Sequence, residues 1–379
     1  MLMKMVFLSL LTLVSLSGFA QEDTTQVKKR QYPAVSVNFA SGKILPTTDF
    51  VRGDNLSGAP ITRYQAYSLK ALWQNPGYRD WQKVYRCPYY GMGVTMGNFF
   101  NEAEIGHPVS VYGILGIPIK RWKKAELYSE FQFGLAVGWN HYDSITNPKN
   151  LVIGGGMTVH LNLGVNALFH LTRKLDAGVG VSFIHFSNGG FERPNRGFNI
   201  YAPSLEIKYH LNGHPEVKGV AQHSRLARSN DLYLMLGYGD HQLVTYEMSQ
   251  YYYAVAGLSA FWSPQLSNAF RLGFGTDLNY WMGLTALADG SIGPRDFRNL
   301  TIGLAIQPEF IVGKLTLVGG IGIYAKHLQY GNFKQTYQRL GVRYEFIENI
   351  SFGVNVRAVN YMLAEFLEFN LGYRFRWMR

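Results

Sequence analysis

A histidine and a serine stand two residues apart at His185 and Ser187, followed by asparagines at Asn188, Asn195 and Asn199. A serine hydroxyl is a weak nucleophile until a neighbouring base takes its proton, and a neutral imidazole can take that proton and hand it to a leaving group. Residues i and i+2 of a β-strand project from one face, so ring and hydroxyl can meet if this stretch is extended. The chemistry would be acyl transfer, which also needs donors for a developing oxyanion. Asn188, Asn195 and the backbone N–H groups of the loop SNGGFERPNRGF are the candidates. A plainer account is also open: polar residues cost little at the rim of a membrane barrel, and Asn188-Gly189 and Pro194-Asn195 are turn-forming pairs.

The flanking residues place this group. Leu175, Ala177, Val179, Val181 and Phe183 alternate with Asp176, Gly178, Gly180 and Ser182, and His185 and Ser187 continue the apolar row. After the loop, Asn199, Tyr201, Pro203, Leu205, Ile207 and Tyr209 alternate with Glu206, Lys208 and His210. A period of two denotes strands, and Asn199 falls on the same apolar face as His185 and Ser187. The three polar side chains therefore converge at the end of a lipid-facing wall.

The rest of the chain fits such a wall. Its 379 residues include 25 Tyr, 24 Phe and 41 Gly, and its one cysteine, Cys87, allows no intrachain disulfide. Residues 1–20 read as a secretory signal cleaved after about Ala20, and 21–30 as a polar lead-in. No later run is long and apolar enough for a membrane helix. An exported, aromatic-rich and glycine-rich chain of this kind has the composition of a transmembrane β-barrel. MTVHLNLGVNALFHLT, from Met157, alternates almost without fault, and the terminal EFLEFNLGYRFRWMR sets Leu367, Phe369, Leu371, Tyr373, Phe375 and Trp377 against Glu368, Asn370, Arg374 and Arg376.

About sixteen such stretches are countable, with short turns expected near Arg173, Pro264, Gly313 and Glu348. QNPGYRDWQKVYRCPYY, after the second stretch, is too long for a plain turn. A polar, basic segment at 212–230 divides the stretches into eight and eight. The fold class is thus an all-β antiparallel transmembrane barrel protein, read as two tandem eight-stranded barrels (31–211 and 231–379) in preference to one sixteen-stranded barrel. KLDAGVGVSFIHFS aligns with NISFGVNVRAVNYM, which puts Asn360 and Met362 opposite His185 and Ser187, so the second half lacks the pair.

The motif His-x-Ser-Asn, with Asn195 seven residues after Asn188 in a strand–loop–strand near the end of an eight-stranded unit, resembles the PagL-type lipid A deacylases. The resemblance covers 31–211. It implies an outer-membrane serine hydrolase that removes an ester-linked acyl chain from lipopolysaccharide, with His185 as base, Ser187 as nucleophile, and Asn188 and Asn195 shaping the oxyanion site. The family's triad ends in a glutamate twelve residues after the serine. Here that position is Asn199, which can orient the histidine but adds no negative charge; Glu192 in the loop is a possible substitute acid.

The formal net charge of +11 suits the phosphates and acidic sugars of lipopolysaccharide, and Arg193 and Arg196 flank the site. Ordinary loop solvation explains those arginines equally well. Nucleic acid is excluded as a partner by export. No phosphate-binding glycine loop, GxSxG or paired-cysteine site is present, no cofactor is expected, and His210 and His214, four apart off a helix, give no metal site. The expected partners are the outer membrane and its lipid A; oligomeric state is left open. The competing function is a non-enzymatic barrel, whether a porin or channel or a structural protein with a decayed site. A single sixteen-stranded barrel would favour it, because such a barrel encloses a water-filled lumen.

Overall fold

Alternating sequences of this length can satisfy their backbone groups inside a membrane only by closing into a barrel. In the computed structural model they close twice. The structure describes residues 30–378 apart from 191, 216, 218–227, 245–249, 283–296, 327–334 and 360–362. The expected signal segment and most of the 212–230 connection lie outside these residues.

The first barrel comprises β1 (Pro33–Ile44), β2 (Arg63–Gln74), β3 (Tyr89–Asn98), β4 (Gly106–Arg121), β5 (Ala125–Trp139), β6 (Met157–His170), β7 (Leu175–Ser187) and β8 (Phe198–His210). Each strand pairs antiparallel with its neighbour, and β1 pairs with β8 to close the ring. The second barrel comprises β9 (Ser229–Val244), β10 (Gln250–Ser267), β11 (Phe270–Trp281), β12 (Leu300–Val312), β13 (Leu315–Lys326), β14 (Thr336–Ile347), β15 (Ile350–Val359) and β16 (Leu363–Met378), closed by β16 on β9. Strands run from 10 to 18 residues, enough for a tilted crossing of the hydrocarbon layer. No described helix is long and apolar enough to cross a membrane.

One row of each strand faces outward and is apolar, as at Tyr67, Leu69, Val179 and Leu205. The other row fills the interior with polar side chains. An eight-stranded barrel is just wide enough for that filling. In the first barrel, Lys70 is 3% exposed and sits 2.8 Å from Glu130 and 4.0 Å from Glu206. Tyr89 and Gln132 also donate to Glu130. Removing one partner of a buried ion pair strands the other charge. Glu130→Ala should therefore destabilise the first barrel by about 3 kcal/mol, seen as a lower temperature for loss of the compact gel-migrating form. The second barrel repeats the device with Arg339 between Asp277 (2.7 Å) and Glu368 (3.2 Å), and with Arg343 on Glu309 (2.6 Å).

All sixteen expected strands are present, but one turn is misplaced by sequence reasoning. Pro264 lies inside β10, opposite Asn230, and the chain reverses after Ser267 instead. The register shifts at Gln265/Ser267, and such an irregularity is where a sheet tolerates a proline. The long 75–88 connection holds a short helix, Asp80–Val84, and is tied down by Arg121, which donates to the carbonyls of Arg86 and Cys87. β15 is the seventh strand of its barrel as β7 is of the first, in keeping with the internal alignment. Asn360 and Met362 lie outside the described residues.

Candidate active site on the outer wall of the first barrel

The same alternation that points His185 and Ser187 outward, where both are half-buried, turns their neighbours inward. Ile184, Phe186, Phe198 and Ile200 are buried in an apolar cluster with Phe99 and Trp139. Ring centroids of Trp139 and Phe186 are 5.2 Å apart, and those of Phe99 and Phe198 4.8 Å. This packing fixes the ends of β7 and β8, so the outward residues between them stand on a rigid support.

Strand register sets His185 directly opposite Asn199. The ring Nδ1 is 2.8 Å from Asn199 Oδ1, and the ring Nε2 is 2.9 Å from Ser187 Oγ. The side-chain amide of Asn199 donates from Nδ2 to Thr47 Oγ1 at 3.5 Å, which leaves Oδ1 as the atom facing the ring. That orientation puts the imidazole proton on Nδ1, where it donates to Asn199. The Nε2 lone pair is then free to accept the Ser187 hydroxyl proton. Thr47, in the connection after β1, was not foreseen from sequence. Closure of β1 on β8 brings it there, and local spacing carries no sign of it.

The loop residues are placed as follows. The Asn188 backbone N–H donates to Asn195 Oδ1 at 3.0 Å, and Asn188 Nδ2 donates to the Glu192 carbonyl. Asn195 Nδ2 is buried without a hydrogen-bond acceptor. Asn188 and Asn195 are thus brought together, with one donor left over. Glu192 is not brought to the histidine: both ring nitrogens of His185 are engaged by Asn199 and Ser187. The Glu192 carboxylate instead lies over Gly155, where an added Cβ would come 1.5 Å from Oε2. Arg193 is half-buried in the loop and Arg196 is exposed. The Arg196 and Gly197 backbone N–H groups anchor the loop to Leu151 and Val152, at 3.2 and 3.0 Å.

Gly197 holds the site open. Its φ is +70°, and an added Cβ would sit 2.7 Å from the Phe186 carbonyl oxygen, 3.0 Å from His185 Cε1 and 3.2 Å from Ser187 Cβ. Small displacements of reacting groups are costly in rate. Gly197→Ala is expected to lower turnover by roughly tenfold or more while the barrel still assembles, a result read from kinetics alongside heat-modifiable gel migration.

Around the pair the outer surface is apolar. Val159 and Leu161 flank it on β6, opposite Ser187 and His185. Phe183 and Tyr201 continue the wall below it and are exposed. The site lies at the barrel end that carries the longer connections 45–62, 99–105, 140–156 and 188–197, away from the short turns 122–124 and 171–174.

A closed barrel with an apolar outer row and a hydrogen-bonded serine–histidine–asparagine group on its outward face defines a class, the outer-membrane barrel proteins. The family model described as lipid A 3-O-deacylase (PagL) matches residues 65–208, and that of the acyloxyacyl hydrolase C-terminal domain matches residues 229–377. The chain belongs to this PagL-type family of ester hydrolases of the bacterial outer membrane. The second match supplies the counterpart for the second barrel that the first-half motif could not. Among solved structures, the outer membrane enzyme PagL is similar at 18% identity, covering 45% of this chain and 97% of that one with a TM-score of 0.30. The NanC porin is similar at 8% identity, covering 90% and 99% with a TM-score of 0.16. OccAB4 of Acinetobacter baumannii is similar at 12% identity, covering 94% and 100% with a TM-score of 0.24. No curated protein matches the chain.

Proposed function

We propose that this protein removes an ester-linked acyl chain from lipid A in the outer leaflet, with Ser187 as nucleophile and His185 as general base and acid. The observation that carries the proposal is the Asn199–His185–Ser187 relay, in hydrogen-bonding geometry, on a face otherwise built for lipid. A water-soluble substrate would not need to be met there. A glycolipid anchored in the outer leaflet presents its ester groups at that depth and can lay the scissile acyl chain along Phe183 and its neighbours.

Ser187 Oγ gives its proton to His185 Nε2 and attacks the acyl carbonyl carbon. The resulting oxyanion is met by donors of the 188–197 loop, among which Asn195 Nδ2 has no other acceptor. Collapse of the tetrahedral intermediate breaks the ester bond, and the sugar oxygen leaves with the proton from His185. Water then hydrolyses the acyl–Ser187 ester by the same steps in reverse order of partners. Arg193 and Arg196 are suited to the phosphates or acidic sugars of the headgroup.

The test is mass spectrometry of lipid A from a Gram-negative host expressing either the protein or its Ser187→Ala variant. The expected result is loss of the mass of one ester-linked acyl chain with the wild type alone. Unchanged lipid A in both hosts, with the wild-type barrel folded in the outer membrane, would sink the proposal.

A further inference from the structure

At the opposite end of the first barrel, four metal-ligand side chains meet on the inward row. His170 ends β6, Asp176 begins β7, His210 ends β8, and His214 follows in the segment that leaves the barrel. His170 Nδ1 is 2.9 Å from Asp176 Oδ1, His210 Nε2 is 2.8 Å from Asp176 Oδ2, and His214 Nε2 is 3.2 Å from Asp176 Oδ1. The imidazole centroids of His170 and His210 lie 4.4 and 4.1 Å from that of His214. The ligand atoms of His170, Asp176 and His214 all fall within 4.8 Å of one another.

Hydrogen bonding accounts for only part of this. His170 and His210 each donate to one oxygen of Asp176. The third ring nitrogen, His214 Nε2, is buried and makes no hydrogen bond of acceptable geometry in spite of its short approach. A nitrogen so placed lies within ligand reach of the Asp176 carboxylate without a hydrogen bond that satisfies it. Lys208, the cation nearby on β8, is held at 3.9 Å from Glu206 and over the Tyr89 ring at 4.2 Å.

We infer that His170, Asp176, His210 and His214 form a binding site for a divalent transition ion of zinc type. Three imidazoles and one carboxylate form a nitrogen-rich, borderline-soft set that suits zinc over magnesium or calcium. Zinc–ligand bonds of about 2.0–2.2 Å require ligand atoms roughly 3–3.5 Å apart; His170 and His214 approach Asp176 Oδ1 to about that spacing, and His210 joins from the other carboxylate oxygen, Oδ2, outside that closest group of three. The ion would pin β6, β7, β8 and the departing segment together where the barrel closes. It has no part in acyl transfer, because it lies at the other end of the strands from Ser187.

The experiment uses the full chain purified in detergent without a polyhistidine tag, stripped by a chelator and equilibrated with zinc. Bound metal is measured by atomic spectrometry and affinity by competition with a chromogenic chelator. About one tight zinc per chain is expected, with Kd below about 1 µM. His214→Ala, which lies outside every strand, should weaken that site at least 100-fold while the compact gel-migrating form is kept. Asp176→Asn should do the same. Zinc should also raise the unfolding temperature of the wild type and leave that of His214→Ala unchanged. No binding at about 10 µM free zinc, or equal binding by the folded wild type and His214→Ala, would overturn the inference and leave a purely hydrogen-bonded histidine cluster.

Discussion

Ser187→Ala is expected to lower the deacylation rate of the purified protein by at least about 10³-fold, with the barrel intact. The magnitude follows from what the residue does. Without Oγ there is no covalent intermediate, and water must attack directly from a wall that offers it no fixed position. Only oxyanion donors and substrate binding remain, and these sustain a small residue of catalysis. His185→Ala should cost a similar factor, since the hydroxyl then keeps its proton. The two losses should not add, because nucleophile and base act as one unit and removing either disables both. The double variant should match the slower single one within a few-fold. A Ser187→Ala protein that retained a tenth of the wild-type rate would refute the nucleophile assignment. A double variant slower than either single by the product of their losses would show two independent contributions instead of a relay.

The parts of this site that were legible in the sequence were those carried by local periodicity. Alternation put His185, Ser187 and Asn199 on one face, and the two barrels of eight followed from the strand count and the polar 212–230 break. Long-range register was not legible. Nothing in the spacing of His170, Asp176, His210 and His214 shows that they meet. They meet because β6 and β8 end, and β7 begins, at one level, where their inward rows converge at the barrel mouth. Thr47 reaches Asn199 only because β1 closes on β8. The misplaced turn at Pro264 has the opposite origin: a strong local breaker was overridden by a strand able to absorb it beside an irregularity. Glu192 is a further case. Its loop position left it a possible partner for His185, but close packing over Gly155 directs its carboxylate elsewhere.

Asn199 then poses the sharpest question of degree, and its replacement by aspartate should raise the rate by about tenfold. Asparagine already supplies geometry. Its Oδ1 fixes the Nδ1–H tautomer, so the heavy penalty of a wrongly oriented amide, known from triads whose acid is replaced, does not apply here. What asparagine omits is charge. As Ser187 gives up its proton the ring becomes imidazolium, and a carboxylate at the same 2.8 Å position would stabilise that cation. At an effective dielectric near 20, a unit pair about 4 Å apart is worth roughly 4 kcal/mol. Partial exposure of the wall screens this toward about 1–2 kcal/mol, which is about tenfold in rate. Aspartate keeps the shape of asparagine, and the Thr47 hydroxyl can turn from acceptor to donor to suit it. Asn199→Leu, of similar size, removes both tautomer control and orientation and should cost roughly 10²-fold. The two variants therefore move the rate in opposite directions if Asn199 works through His185. Equal rates for wild type, aspartate and leucine, with all three folded, would show that the ring is held by the barrel wall alone and that the third member of the relay is a bystander.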